Sequence, residues 1–306
     1  MKFFSLFSAF ISLLVNTSAQ ADTLDKQSVG FRYTDNVYLT PESKTADSYL
    51  LVNSRFQFFM GERILRMKMD YADYSKESDN DYAGLTLTTK WGSVRSADLD
   101  LKLFHKNYVN ENAATTDNSF THTGAGAALE KSWTPNSNVL ITGGTSYDTR
   151  FFHDFNGRND HQLMLFGDLD FNSYSKVTPY IYADCGLVLS SLAAYSNVFF
   201  DIGGGAKGPL SKDLSWLVDL DLRSVSYSNR NVDETLILTK RRGSSQTTTV
   251  TNNEQTQTTT IGGGIRWGYD KNFEFESRVN STAQSSNNPN FAYKNDEIYF
   301  SLSYIP

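Results

Sequence analysis

The segment Ser48-Tyr49-Leu50-Leu51-Val52-Asn53-Ser54-Arg55-Phe56-Gln57-Phe58-Phe59-Met60, the turn Gly61-Glu62-Arg63 and the return Ile64-Leu65-Arg66-Met67-Lys68-Met69-Asp70-Tyr71 decide the fold. In the first arm Leu50, Val52, Phe56, Phe58 and Met60 alternate with Tyr49, Asn53, Arg55 and Gln57. In the second, Leu65, Met67, Met69 and Tyr71 alternate with Arg66, Lys68 and Asp70. A period of two places one set on each face of a strand. Two cations and an acid on one face cannot stand in hydrocarbon, so the two faces meet different solvents.

The same pattern recurs along the chain and gives fourteen alternating segments. Val29, Phe31 and Tyr33 form one face of the first. Leu85, Leu87 and Trp91 mark the fourth, and Leu99, Leu101 and Leu103 stand against Asp98, Asp100 and Lys102 in the fifth. The sixth, from Thr123 to Trp133, carries small residues at Gly124, Gly126 and Ala128, read as room for bulky lumenal neighbours or as strong curvature. Val139, Ile141 and Tyr147 oppose Asp148 and Arg150, while Leu163, Leu165, Leu169 and Phe171 oppose Asp168 and Asp170. Tyr180, Tyr182 and Asp184 share the polar face of the ninth segment, and Val198, Phe200 and Ile202 oppose Asp201 in the tenth. Trp216, Val218, Leu220 and Leu222 stand against Asp219, Asp221 and Arg223, and Ile261, Ile265 and Trp267 against Arg266. Phe273, Phe275 and Val279 oppose Glu274, Glu276 and Arg278, and the last segment runs from Glu297 to Tyr304. Gly203-Gly204-Gly205 and Gly262-Gly263-Gly264 fall inside strands and are read as bends or bulges.

Connections after odd segments read as long and those after even segments as short, which puts both termini on the short-turn side. A soluble sandwich has no reason to keep that parity, whereas a membrane barrel has short periplasmic turns and long extracellular loops. The longest connection, about Ser228 to Glu254, has strand-forming composition at Thr235–Thr239 and Thr247–Thr251 around Gly243-Ser244-Ser245, and so predicts a projecting hairpin.

Export is predicted from residues 1–21: Lys2, an apolar run from Phe3 to Val15, and Ala19 and Ala21 flanking Gln20. The run is too short to span a bilayer as a helix, which needs about 20 residues. Residues 22–306 then form one domain, an all-β, closed antiparallel transmembrane barrel of about fourteen strands. A mean hydropathy of −0.42 with 14% aromatic residues fits a wall whose alternate residues face water. The net charge of −6 argues against nucleic acid as a partner. Cys185 is the single cysteine and is read as a small wall residue.

The export signal, the alternation and the closing Ile298-Tyr299-Phe300-Ser301-Leu302-Ser303-Tyr304 resemble bacterial outer-membrane β-barrel proteins of the porin kind, over the whole mature chain. Phe31-Arg32-Tyr33-Thr34-Asp35-Asn36-Val37-Tyr38 is similar to the start of β-barrel porins found with bacterial exopolysaccharide systems. The resemblance implies the outer membrane of a Gram-negative cell, contact with lipid and lipopolysaccharide, and insertion by the barrel-assembly machinery. Porin-like chains commonly end on an aromatic residue that this machinery reads, whereas this one ends on Pro306.

The candidate pore-lining residues are those on the polar faces: Arg55, Arg66, Lys68, Asp70, Asp98, Asp100, Lys102, Asp148, Arg150, Asp168, Asp170, Asp184, Asp219, Asp221, Arg223, Arg266, Glu274, Glu276 and Arg278. With Lys90, Lys106, Lys207, Glu130, Asp201 and Glu297 they make eleven cations against fourteen acids, a near balance that predicts weak ion selectivity. Such charges either pair across strands or line a constriction. Trp91, Trp133, Trp216 and Trp267 lie near segment ends, as interfacial anchors do, with sugar stacking as the other use of an inward ring. Lys240-Arg241-Arg242 stands ready for anionic surface polysaccharide or is a solvated loop tip.

Catalysis finds no footing. His153-Asp154-Phe155-Asn156-Gly157-Arg158 resembles the active-site stretch of outer-membrane phospholipase A, but Phe155 stands where a serine nucleophile would follow. His105, His122 and His161 have no metal-ligand spacing, and Asp79-Asn80-Asp81 reads as an oxygen-rich turn rather than a calcium loop. No cofactor and no metal is expected. The function expected is a porin or channel for small hydrophilic solutes or saccharides. The alternative is a non-conducting barrel acting through its loops in adhesion or envelope and exopolysaccharide assembly. Fourteen complete strands in one chain permit a monomer.

Overall fold

A computed structural model describes residues 24–36, 45–76 without 61–62, 81–94, 97–108, 121–153, 157–171, 176–239, 245–269 and 271–306. The export segment, the tip Lys240-Arg241-Arg242, residues 79–80 and residues 154–156 lie outside them. Fourteen strands close into one barrel: β1 (Leu24–Thr34), β2 (Asp47–Met60), β3 (Arg63–Tyr74), β4 (Tyr82–Val94), β5 (Ala97–Tyr108), β6 (His122–Asn136) and β7 (Val139–Phe152) are followed by β8 (Asn159–Phe171), β9 (Thr178–Ser190), β10 (Asn197–Pro209), β11 (Leu214–Thr239), β12 (Ser245–Gly268), β13 (Phe273–Ser286) and β14 (Tyr293–Tyr304). Each pairs antiparallel with its sequence neighbours, and β1 closes the ring on β14 in continuous register from Gln27↔Tyr304 to Thr34↔Glu297. Closure leaves no open sheet edge, which in hydrocarbon would strand a row of backbone groups at several kcal/mol each. Among the described residues no helix is long and apolar enough to cross a membrane.

Register sorts the side chains. Val29, Phe31 and Tyr33 are exposed on the outer face, and so are Leu103, Leu165, Ile181, Leu189, Val198 and Ile261. Cys185 shares that face and is exposed. Trp133, Trp216 and Trp267 also face outward, all at the short-turn end, where amphipathic rings anchor at the interface.

Three details bear on the sequence reading. First, the glycine triplets are not bulges. Register runs unbroken through Gly203–Gly205 and Gly262–Gly264, and irregularities fall instead at Leu24/Lys26, Lys90/Gly92, Trp133/Asn136 and Ser226/Asn231. Lumenal crowding is the reason: a Cβ at Gly203 would strike the Tyr182 ring, and one at Gly262 would meet Asp219 and Asn280. Gly124 and Gly126 serve likewise, giving space to the Phe104 ring and the Asp148 carboxylate. Second, the projecting hairpin expected within the connection Ser228 to Glu254 is present, with strand over most of its length. β11 and β12 continue far past their neighbours, pairing Asn231↔Asn253 up to Thr239↔Ser245. Third, the length parity is looser than the sequence implied. Residues 172–177 make a connection on the short-turn side as long as 153–158 or 191–196 on the other, because β9 begins at Thr178.

Candidate lumenal site

All nineteen predicted residues stand on the inner face, the face shared with Arg32 and opposite Val29 and Phe31. What the sequence could not give is how they group.

Toward the short turns, opposite charges meet across strands. Arg266 donates to Glu276 at 2.8 Å and lies 3.6 Å from Glu274, which also takes Lys26 at 3.4 Å. Lys90 pairs with Asp98 and Arg278 with Asp219. Higher up, Lys102 meets Asp148 at 2.9 Å and Lys68 approaches Asp70 at 3.8 Å. These bonds join β1, β12, β13 and β11 on one side and β4, β5 and β7 on another, so they tie the wall together. Arg55, Arg66, Asp100, Asp168 and Asp170 are not drawn into such pairs among the described residues.

On β8 to β11 the arrangement inverts. Asp184 is registered directly opposite Asp201, and Asp168 and Asp170 stand opposite Tyr182 and Tyr180. The Tyr182 hydroxyl donates to Asp221. One cation, Arg223, reaches Asp201 at only 3.9 Å, and an Asp201 carboxylate oxygen is buried without a partner. Like charges directly across an antiparallel pair destabilise it. This acid wall is therefore held at a cost by the rest of the sheet.

Toward the long loops lies a cavity of about 570 Å³, bordered mainly by inner-face residues from β3 to β11 together with Arg158 and Tyr195 from the connections. Its cations are Lys102, Lys106, Arg150, Arg158 and Arg223, and its acids are Asp70 and Asp160. Arg158 is committed: it grips Asp160 at 2.6 Å, both side chains 5% exposed, and lies against the rings of Tyr195 and Phe152 at 3.8 and 4.4 Å. Lys106 has no acid within ion-pair range among the described residues; its ammonium sits 3.6 Å from the Tyr82 ring centre and 4.9 Å from that of Tyr108. Arg150 donates to the neutral Gln162 at 3.2 Å. Aromatic residues dominate this level. Tyr49 stacks on Tyr74 at 4.3 Å, Tyr82 meets Tyr108 at 5.6 Å, and His122 meets Phe152 at 5.3 Å. Arg32 lies over Tyr49 and Tyr299, and Arg230 over Tyr227 and Tyr195.

Sequence reasoning missed this collar, because Tyr74, Tyr82 and Tyr108 sit at strand ends where alternation fades, and Tyr227 lies at the register irregularity of β11. Counting parity back from each strand's middle would have placed Tyr74, Tyr82 and Tyr108 inside. It also missed an outward cluster. His105 Nδ1 and His153 Nε2 both reach the Thr123 hydroxyl, at 2.9 and 2.8 Å, and Tyr147 bonds His161 at 2.7 Å. Three of the four histidines thus share one exposed belt at the long-loop end, while His122 faces the lumen. Among the described residues no group of three or more His, Cys, Asp and Glu is arranged to hold a metal ion.

No protein-family model and no curated protein sequence matches the chain. Solved structures do. A bacterial polysaccharide outer-membrane secretin superposes with a TM-score of 0.55 at 12% identity, over 93% of this chain and 99% of the other. The anion-selective porin of Comamonas acidovorans aligns over 92% of this chain and 98% of its own, at 5% identity and a TM-score of 0.46. The outer-membrane channel DcaP of Acinetobacter baumannii covers 92% and 96%, at 8% identity and a TM-score of 0.45. The secretin match establishes the kind of fold, a closed outer-membrane β-barrel.

Proposed function

We propose that the chain is a non-enzymatic channel of the Gram-negative outer membrane that passes small hydrophilic solutes or saccharides. One observation carries the reading: the inner face of a closed fourteen-strand barrel carries ionisable and hydroxyl side chains along its length, with apolar ones such as Phe104, Phe166 and Phe199 among them, around a cavity of about 570 Å³. Eight strands give an interior that side chains fill and sixteen or more an aqueous channel; fourteen lies between and permits a narrow pore. Delivery would use the predicted export segment and the barrel-assembly machinery, with lipid and lipopolysaccharide around the apolar outer face. The saccharide part of the reading draws on the aromatic collar, whose rings offer flat apolar faces beside charged donors.

A second reading rests on the β11–β12 hairpin, whose paired strands extend well past the barrel rim as a platform for adhesion or for envelope and exopolysaccharide assembly. Planar-bilayer recording of the purified barrel separates the two. Stable single-channel openings are expected for the channel. A silent bilayer, with surface-polysaccharide binding that disappears on removing residues 232–252, favours the hairpin.

A further inference from the structure

We propose that the cavity toward the long loops is a binding site for a carboxylate-bearing saccharide, a short run of uronate-like sugars. The inference rests on the saccharide reading above and narrows it to acidic sugars. Its volume of about 570 Å³ falls within the ~300–1,000 Å³ typical of small-molecule sites.

Charge is the first argument. Lys102 and Arg158 are neutralised by Asp148 and Asp160, but Lys106 and Arg150 meet only rings and a neutral amide, and Arg223 sits at the outer limit of an ion pair with Asp201. Lys106 on β5 and Arg150 on β7 therefore border one space without an ion pair among the described residues, and Arg223 on β11 adds a cation held only loosely. Arginine presents a planar fork that matches a carboxylate with two parallel hydrogen bonds.

Aromatic surface is the second. Phe104 lies 5.1 Å from Lys102 and Phe199 5.2 Å from Arg223, so ring faces stand beside the cations, and Tyr108 and Tyr227 complete the border. A bare inorganic anion needs no such faces, and a neutral sugar needs no spare cations. A pyranose bearing a carboxylate uses both, its C–H face on a ring and its acid on a guanidinium.

Placement is the third. Asp168, Asp170, Asp184 and Asp221 cluster on the β8–β11 wall nearer the short turns, whereas the cavity border carries more cations than acids.

The test is isothermal calorimetry on the detergent-solubilised full barrel with trigalacturonate, maltotriose and sodium sulfate. Trigalacturonate is expected to bind at least tenfold more tightly than maltotriose or sulfate, and its affinity to fall as salt rises. Arg150→Gln and Lys106→Gln should each weaken it about tenfold, while Lys212→Gln at the β10–β11 turn leaves it unchanged. Equal affinity for maltotriose, equal affinity for sulfate, no binding of trigalacturonate, or salt-independent binding would each overturn the proposal; should either variant misfold, the salt series on the unmodified barrel still decides. Binding is read without conductance, so a silent bilayer with trigalacturonate bound would sink the channel reading and leave this site standing.

Discussion

The wall made by β12, β13, β14 and β1 and the wall made by β8, β9, β10 and β11 are built from the same alternation, yet they treat charge in opposite ways. On the first, Arg266 binds both Glu276 and Glu274, and Lys26 reaches Glu274 from across the closing seam. On the second, Asp184 faces Asp201 directly, with Asp168, Asp170 and Asp221 close by and Arg223 as a loose counter-ion. Pairing of the first kind satisfies a wet interior and holds strands in register. Unpaired acids of the second kind weaken the sheet locally. The mouth repeats the contrast within one level, where Arg158 is locked to Asp160 and Arg150 is left to a neutral amide.

Four substitutions can break or sharpen that contrast. The largest effect belongs to Arg158→Ala, which leaves Asp160 charged and buried without its guanidinium partner; breaking such a pair costs about 3–5 kcal/mol, read as earlier urea unfolding of the liposome-inserted barrel. Gly126→Leu drives a side chain into the Asp148 carboxylate and displaces it from Lys102; overpacking of this kind costs about 1–3 kcal/mol by the same measurement. Arg266→Gln removes a pair whose arginine is 43% exposed, so a loss of only about 0.2–1 kcal/mol is expected, with the reversal potential in a salt gradient unchanged. Asp184→Asn should go the other way, raising stability by about 0.2–1 kcal/mol because it relieves a directly opposed like charge. It should also move the reversal potential toward anion preference. If Asp184→Asn destabilises the barrel, or if Arg266→Gln shifts selectivity as much, the two walls do not differ as described.

Much of this molecule could be read from residues. Alternation in segments such as Arg66, Lys68 and Asp70 against Leu65, Met67 and Met69 fixes face, and face needs nothing beyond a period of two. Strand number and closure followed from turn chemistry and from the impossibility of an open edge in lipid. The site was legible only as a list. Which cation neutralises which acid depends on register between strands far apart in sequence, as with Lys26 and Glu274 or Arg278 and Asp219. No local rule reports that. Counts near balance concealed the acid cluster on β8 to β11 for the same reason. The glycine triplets misled because close approach of Tyr180 and Tyr182 from the next strand requires a missing side chain as strongly as a bulge would.

Adjacent residues on β9 offer the most direct test of the central claim, that one sheet divides water from oil. Asp184 stands on the inner face and the native Cys185 on the outer. In liposome-inserted barrel, Cys185 should resist a membrane-impermeant charged maleimide. A cysteine substituted at 184 in a Cys185→Ser background should react with it readily. Fast labelling of Cys185 together with protection at 184, or equal labelling at both, would contradict the account.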